Sequence, residues 1–382
     1  MVQGIDGAKT YSLGQRAVAD GDSFPVATPD PSRVAVILNR NARKVTDRLA
    51  KKIARIVGSD NLFYSHDLDQ AETYIREVVQ RGYGTILSGG GDGTLARTVN
   101  MVRSYIDESN LWRMQQRSIQ GGLPTLLGMP RFGFLKLGTG NGLASVVGAG
   151  HPLRDLQNIV TYAPSRTHQI PMIESEGEQF FFAGLGYDSM LLNDYNNLVK
   201  NAHGSFWESL TAGLGGYFYA VLTRTVPRAL LSNAQCEGRI INRGRGYFVD
   251  PRRGDAVVEL EPGAVLFEGR ASCIAAGTSP FFGYGFKMFP FANMMPQMMQ
   301  LRVSTMGPLS VLGNLGSLWR GHHRSPGRIA DFLVEDIQIE LDMPFPFQHS
   351  GDAQGLKQDI SLKLASLPLR LVDCHKPTLL QS

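Results

Sequence analysis

The run from Thr85 to Val102 restricts the fold more than any other segment. Thr85-Ile86-Leu87 is apolar and leads without a spacer into Ser88-Gly89-Gly90-Gly91-Asp92-Gly93-Thr94. Leu95, Val99 and Val102 then recur at helical spacing, so a helix is expected to open near Thr94. A strand that ends in glycines and turns straight into a helix belongs in a parallel α/β sheet. Consecutive glycines let backbone N–H groups approach a polyphosphate and adopt φ > 0, while the helix N-terminus adds partial positive charge. The loop from Gly89 through Gly90, Gly91 and Gly93 to Thr94 thus reads as a phosphate cradle. It is neither the GxxxxGK[ST] nor the GxGxxG loop. Asp92 beside a phosphate would be repelled unless a cation intervened, which points to Mg²⁺, held directly or through water.

The flanking sequence repeats the same alternation. Val34 to Leu38 is an unbroken apolar run suited to a strand buried on both faces, and it ends at Asn39. Residues 44–57 carry Val45, Leu49, Ile53 and Ile56 on one helical side. Leu62 to Tyr64 is expected as a second strand and 70–81 as a second helix. From this spacing we expect an α/β domain with a parallel, Rossmann-like sheet over residues 31–165, after a flexible tail at 1–30. Beyond it, segments at 180–185, 257–267, 271–276, 299–303 and 332–342 are short and set off by Gly, Pro and charged turns. They predict a β-rich, sandwich-like second domain over 166–373, whose final strand returns to the first domain, and a tail at 374–382. Two domains suit 382 residues, more than one core normally spans.

Composition narrows the partners. The formal charge of +4, from 38 basic and 34 acidic residues, demands no nucleic-acid partner and would suit an anionic membrane surface. No stretch of 18 apolar residues occurs, so membrane contact is expected to be peripheral. Cys236, Cys273 and Cys374 are odd in number and lack CxxC or metal-ligand spacing, which fits a reducing, cytoplasmic setting.

A second glycine turn follows the apolar strand Phe132 to Leu137: Gly138-Thr139-Gly140-Asn141-Gly142-Leu143-Ala144, with a helix expected from Leu143. Two such turns at the carboxyl ends of strands in one sheet would line a single crevice that takes a nucleotide. Gly90-Gly91-Asp92-Gly93-Thr94, followed about 45 residues later by Gly138-Thr139-Gly140-Asn141, resembles the catalytic region of diacylglycerol kinases, sphingosine and ceramide kinases and their bacterial relatives. Further matches extend the resemblance from about residue 33 to 373. Asn39 stands where the family has the Asn of an Asn-Pro-x-x-Gly turn, and Ser65 where an ATP-contacting Thr is usual. Gly186-Tyr187-Asp188 is similar to a Gly-x-Asp signature early in the second domain, and Ser350-Gly351-Asp352 falls where the family carries Asp-Gly-Glu.

The resemblance implies an ATP-dependent lipid kinase with Mg²⁺, its active site in the interdomain crevice. Asp92 and Asp352 would be catalytic, Asp352 as proton acceptor for a lipid hydroxyl. Asn39, Arg40, Ser65 and the two glycine turns would hold the nucleotide. The lipid would be met at a membrane surface, and a homodimer is compatible with the pattern.

Several departures accompany it. Arg40 and Arg43 replace the Pro and Gly of the first turn, to reach phosphates or to face water. Arg97 stands where a Glu commonly follows the Gly-Asp-Gly-Thr loop. Asp352 is one carbon shorter than Glu. Met295-Pro296-Gln297 lacks the acidic ligand of the bacterial structural Mg²⁺ site, which is therefore expected to be absent.

Phe206-Trp207, Tyr217 to Tyr219, Phe281-Phe282 and the methionines Met288, Met294, Met295, Met298 and Met299 are candidates for an acyl-chain crevice or for plain core. Asp188 is a candidate substrate contact or a turn-stabilising residue. The basic segment 319–328 is a headgroup site or a solvated loop. Two other functions stay open: an NAD kinase, whose superfamily shares the Gly-Gly-Asp-Gly loop, and a non-catalytic nucleotide or lipid sensor.

Overall fold

The structure, a computed structural model, describes residues 29–40, 42, 44–120, 123–138, 141–162, 166–186, 235–282 and 285–374. The first sheet is built from β1 (Asp30–Asn39), β2 (Leu62–Ser65), β3 (Tyr83–Gly90), β4 (Arg131–Lys136) and β5 (Thr167–Ile170), with helices α1 (Asp47–Val57), α2 (Leu68–Gln80), α3 (Asp92–Gln120) and α4 (Pro152–Tyr162) between them. The expected helix boundaries shift by a few residues, and polar caps explain two of them. Thr46 accepts a hydrogen bond from the Leu49 N–H and starts α1, and Asp67 does the same for Gln70 and starts α2.

Among the described residues twelve strands form the second sheet: β6 (Ile173–Ser175), β7 (Glu178–Phe180), β8 (Phe182–Gly186), β9 (Cys236–Asn242), β10 (Gly246–Asp250), β11 (Ala256–Leu260), β12 (Val265–Ala271), β13 (Cys273–Gly277), β14 (Met299–Ser304), β15 (Ile329–Val334), β16 (Asp336–His349) and β17 (Asp352–Leu364). They pair antiparallel throughout. β18 (Leu369–Val372) then crosses back to the first sheet, whose order is β2-β1-β3-β4-β18-β5. The fold is thus a parallel α/β unit followed by a large antiparallel β-rich one.

Position in the sheet follows apolar content. All eight residues of β3 are buried, and β3 lies between β1 and β4 with helices packed against the sheet. Two segments expected as single strands are each divided. The segment 257–267 breaks at a turn containing Gly263, whose φ is 88°. The segment 332–342 breaks at Glu335, whose N–H bonds the Arg245 carbonyl and whose carboxylate pairs with the Arg245 guanidinium.

The expected helix at Leu143 is one 3₁₀ turn, Leu143–Ser145. The chain leaves it near Gly148, with φ 65°, and Asp155 takes the Gly150 N–H to begin α4.

One face of α3 docks the two units. Gly93, Arg97, Asn100 and Arg103 recur at intervals of four, three and three, which keeps them on one side of a helix. Asn100 exchanges two hydrogen bonds with the Gln179 backbone at 2.8 and 2.9 Å, and Arg103 pairs with Glu174 at 3.2 Å.

Candidate active site

The candidate site collects at the carboxyl ends of four adjacent parallel strands, where Ser65, Asn39, Gly90 and Lys136 close β2, β1, β3 and β4. Gly89 and Gly90 belong to β3 and helix α3 begins at Asp92, so the strand passes into the helix through Gly91 alone. None of the described glycines in the two turns has positive φ. Their role is close approach, a correction to the conformational part of the expectation.

The two turns touch. The Gly138 N–H donates to the Gly90 carbonyl at 2.7 Å. A Cβ added at Gly138 would lie 2.4 Å from the Gly91 Cα and 2.6 Å from its nitrogen, so a side chain there would force the turns apart. Thr139 and Gly140 lie outside the described residues.

Asp92 locks the second turn to the first. Its Oδ2 accepts from the Gly142 N–H at 2.7 Å and its Oδ1 from the Leu143 N–H at 3.3 Å. The side chain is buried, and burial pushes the carboxyl up to about 7, against the two backbone hydrogen bonds that favour the anion. Beside it, the Asn141 amide donates to the Gly138 carbonyl at 2.8 Å. Its Oδ1 is buried with no hydrogen-bond partner and lies 3.8 Å from where a Gly91 Cβ would sit.

Asn141 directly precedes Gly142, whose N–H donates to Asp92, and its orphaned carbonyl oxygen takes only a donor or a cation. This pair therefore fits Mg²⁺, which is commonly held by one or two carboxylates with substrate phosphates completing its shell. Among the described residues no cluster of three or more His, Cys, Asp or Glu could hold a metal alone.

Asp352 arrives from the second sheet. β16 and β17 are joined by Ser350 and Gly351, with φ 47° and 87°, and His349 pairs with Asp352 across the turn. Two successive positive φ values make a tight two-residue hairpin whose twist matches the strands, and Ser350 accepts a left-handed backbone to form it. The Ser350 N–H holds the turn to the Phe182 carbonyl at 2.9 Å. The hairpin tip rests on the phosphate turn. A Cβ at Gly93 would lie 2.8 Å from the Ser350 carbonyl oxygen and 3.8 Å from the Asp352 Oδ2.

Asp352 also pairs with Arg97 at 2.9 Å, each side chain about half exposed. Two departures from the family pattern are thereby the two ends of one ion pair. His349 stacks on Phe180 at 4.4 Å and meets Glu178 at 3.2 Å, and burial holds its imidazole below the usual value.

The remaining candidates spread along the strand ends. Arg40 bonds the His66 Nδ1 at 2.9 Å, while Arg43 lies outside the described residues. Ser65 is buried and donates to the Leu38 carbonyl at 3.2 Å, tying β2 to β1. Asp188, Phe206-Trp207 and Tyr217 to Tyr219 also lie outside the described residues.

Met298 and Met299 are core, whereas Met294 is exposed. Phe281 lies on the second turn, its carbonyl oxygen 2.5 Å from where a Gly142 Cβ would sit. In the sequence Phe281 is a candidate for an acyl-chain crevice or for core, and nothing there points to its carbonyl or to that of Ser350 at the site, because backbone contacts across sheets leave no side-chain pattern. In the basic segment, Arg324 is tied to Asp255 at 3.1 Å and stacks on Phe291 at 4.5 Å, so this arginine is a structural anchor.

Residues 33–173 match the diacylglycerol kinase catalytic domain family. The crystal structure of a diacylglycerol kinase from Bacillus anthracis str. Sterne superposes with a TM-score of 0.55 at 13% identity, covering 90% of this chain and 97% of that one. A second structure from the same organism gives the same TM-score at 16% identity over the same shares. At such identities the likeness is one of fold. No curated protein matches the chain.

Proposed function

We propose that the chain is an ATP- and Mg²⁺-dependent lipid kinase, transferring a phosphoryl group to a hydroxyl of a lipid such as diacylglycerol or a sphingoid or ceramide-type lipid. The contact between Gly138 and Gly90 carries this reading, because it makes two glycine turns one continuous backbone surface for a polyphosphate. A bound nucleotide with its magnesium would supply the phosphoryl group and offset its charge.

The chain's own residues do the rest. Gly91, Gly93 and Gly138 leave the phosphate surface free of side chains, and Asp92 fixes the relation between the turns. Asn141 Oδ1 and Asp92 would supply oxygen ligands to a magnesium ion brought in with the nucleotide. Asp352, beside Gly93, takes the proton from the lipid hydroxyl as its oxygen attacks phosphorus. Phosphoryl transfer depends chiefly on positioning and charge neutralisation, so the shorter Asp suffices.

Among the described residues no helix is long and apolar enough to cross a membrane. Peripheral contact with the bilayer supplying the lipid, a cytoplasmic setting and a homodimer belong to the same proposal. The Arg97 contact to Asp352 favours one second reading, a nucleotide or lipid sensor in which the acid is permanently paired.

Turnover of ATP with Mg²⁺ and a total lipid extract, followed by mass spectrometry of the product, tests the proposal. Wild type should yield a phosphorylated lipid while Asp92→Ala and Asp352→Ala should not, and NAD should remain unphosphorylated. Equal inertness of all three proteins with ATP still bound would establish the sensor.

A further inference from the structure

We propose that Arg97 is a positioning residue for Asp352, holding its carboxylate against the backbone of the phosphate turn. The functional consequence rests on the kinase reading above, whereas the geometric claim does not.

Arg97 lies one helical turn beyond Gly93 on the α3 face that meets the second sheet. Its Nη2 reaches the Asp352 Oδ2 at 2.9 Å, and the same oxygen lies 3.8 Å from where a Gly93 Cβ would sit. One guanidinium thus fixes the oxygen that faces the turn. Asp352 is otherwise the first residue after a tight hairpin turn, and its side chain is half exposed. A carboxylate in that position would sample several rotamers without a partner.

The pair has little to do with holding the units together. An exposed ion pair contributes little to stability, and Asn100 and Arg103 already fasten the same helix face to Gln179 and Glu174. What the Arg97 contact adds is aim. The Arg fork is planar and pre-organised, so it directs a carboxylate better than a Lys point charge does.

The test uses the full chain, with Arg97→Ala, Arg97→Lys and, as a control farther along the seam, Arg103→Gln. Crystal structures of wild type and Arg97→Ala read the geometry directly. The proposal expects the Asp352 carboxylate to rest against Gly93 in the first and to leave it in the second. An unmoved carboxylate overturns it.

Kinetics with ATP, Mg²⁺ and mixed micelles containing diacylglycerol or ceramide read the consequence. Arg97→Ala should lower kcat by ~10²-fold, the cost of misplacing a reacting group by about 1 Å, with KM for ATP unchanged. Arg97→Lys should recover part of the loss, and Arg103→Gln should keep the wild-type kcat. A raised KM for ATP at constant kcat, or an equal loss in Arg103→Gln, would refute positioning. If wild type turns over neither lipid while the carboxylate still moves in Arg97→Ala, the kinase reading fails and the geometric claim stands.

Discussion

Replacing Asp92 by Asn should change how stability depends on pH. In the folded chain the Asp92 carboxyl is pushed up to about 7 by burial, against an ordinary value of 3.8. At about 1.36 kcal/mol per pH unit that difference corresponds to ~4 kcal/mol of bias toward the protonated form. The sign follows from proton counting. Between about pH 4 and 7 the folded state keeps a proton that the unfolded state has released, so stability is full below that window and falls as pH rises through it. Asn carries no titrating proton. It also turns its amide NH₂ toward one of the two N–H donors of Gly142 and Leu143, a pH-independent cost of ~1–3 kcal/mol.

Urea unfolding of nucleotide-free wild type and Asp92→Asn at pH 5, 6, 7 and 8 reads both effects. Relative to the variant, wild type should lose roughly 2 kcal/mol from pH 5 to 7 and a few tenths more by pH 8. Parallel curves across the whole range would refute the burial argument.

Gly138→Ala should abolish nucleotide binding in an ATP titration and cost about 1–3 kcal/mol of stability, because its methyl would lie 2.4 Å from the Gly91 Cα. Asp331→Asn should cost ~3–5 kcal/mol in urea unfolding while leaving ATP affinity unchanged, since it strands the buried Arg302 guanidinium that Asp331 now holds at 2.7 and 3.0 Å. Ser350→Val should lower kcat with little effect on nucleotide affinity, because a β-branched residue resists φ 47° and would shift the hairpin that carries Asp352.

Local pattern made the first sheet legible. The apolar run at Val34, the stripes of α1 and α2, and the glycines after Leu87 and Leu137 each state strand, helix or turn within a few residues, and the parallel sheet follows from their alternation. The twelve-stranded sheet was legible only as β-rich. Its longest strands, β16 and β17, pair across a two-residue turn at Ser350-Gly351 that lacks the usual Asn-Gly signature, and Ser350 adopts positive φ only because the sheet fixes its neighbours.

The site divided in the same way. The glycines announced where phosphate would lie, but the pattern that makes Asp92 a Mg²⁺ candidate does not show that it is buried and accepts from two backbone N–H groups. The link between Arg97 and Asp352 spans 255 positions, a separation no spacing rule reaches. Ser65 illustrates the opposite limit: the resemblance puts it where an ATP-contacting Thr is usual, and in the fold its hydroxyl turns inward to the Leu38 carbonyl.

A crystal structure with a non-hydrolysable ATP analogue and Mg²⁺ tests the central claim most directly. The account predicts phosphate oxygens against the backbone of Gly91 and Gly138, with the metal on Asn141 Oδ1 and Asp92. A nucleotide bound elsewhere, or no binding at millimolar concentration, would contradict it.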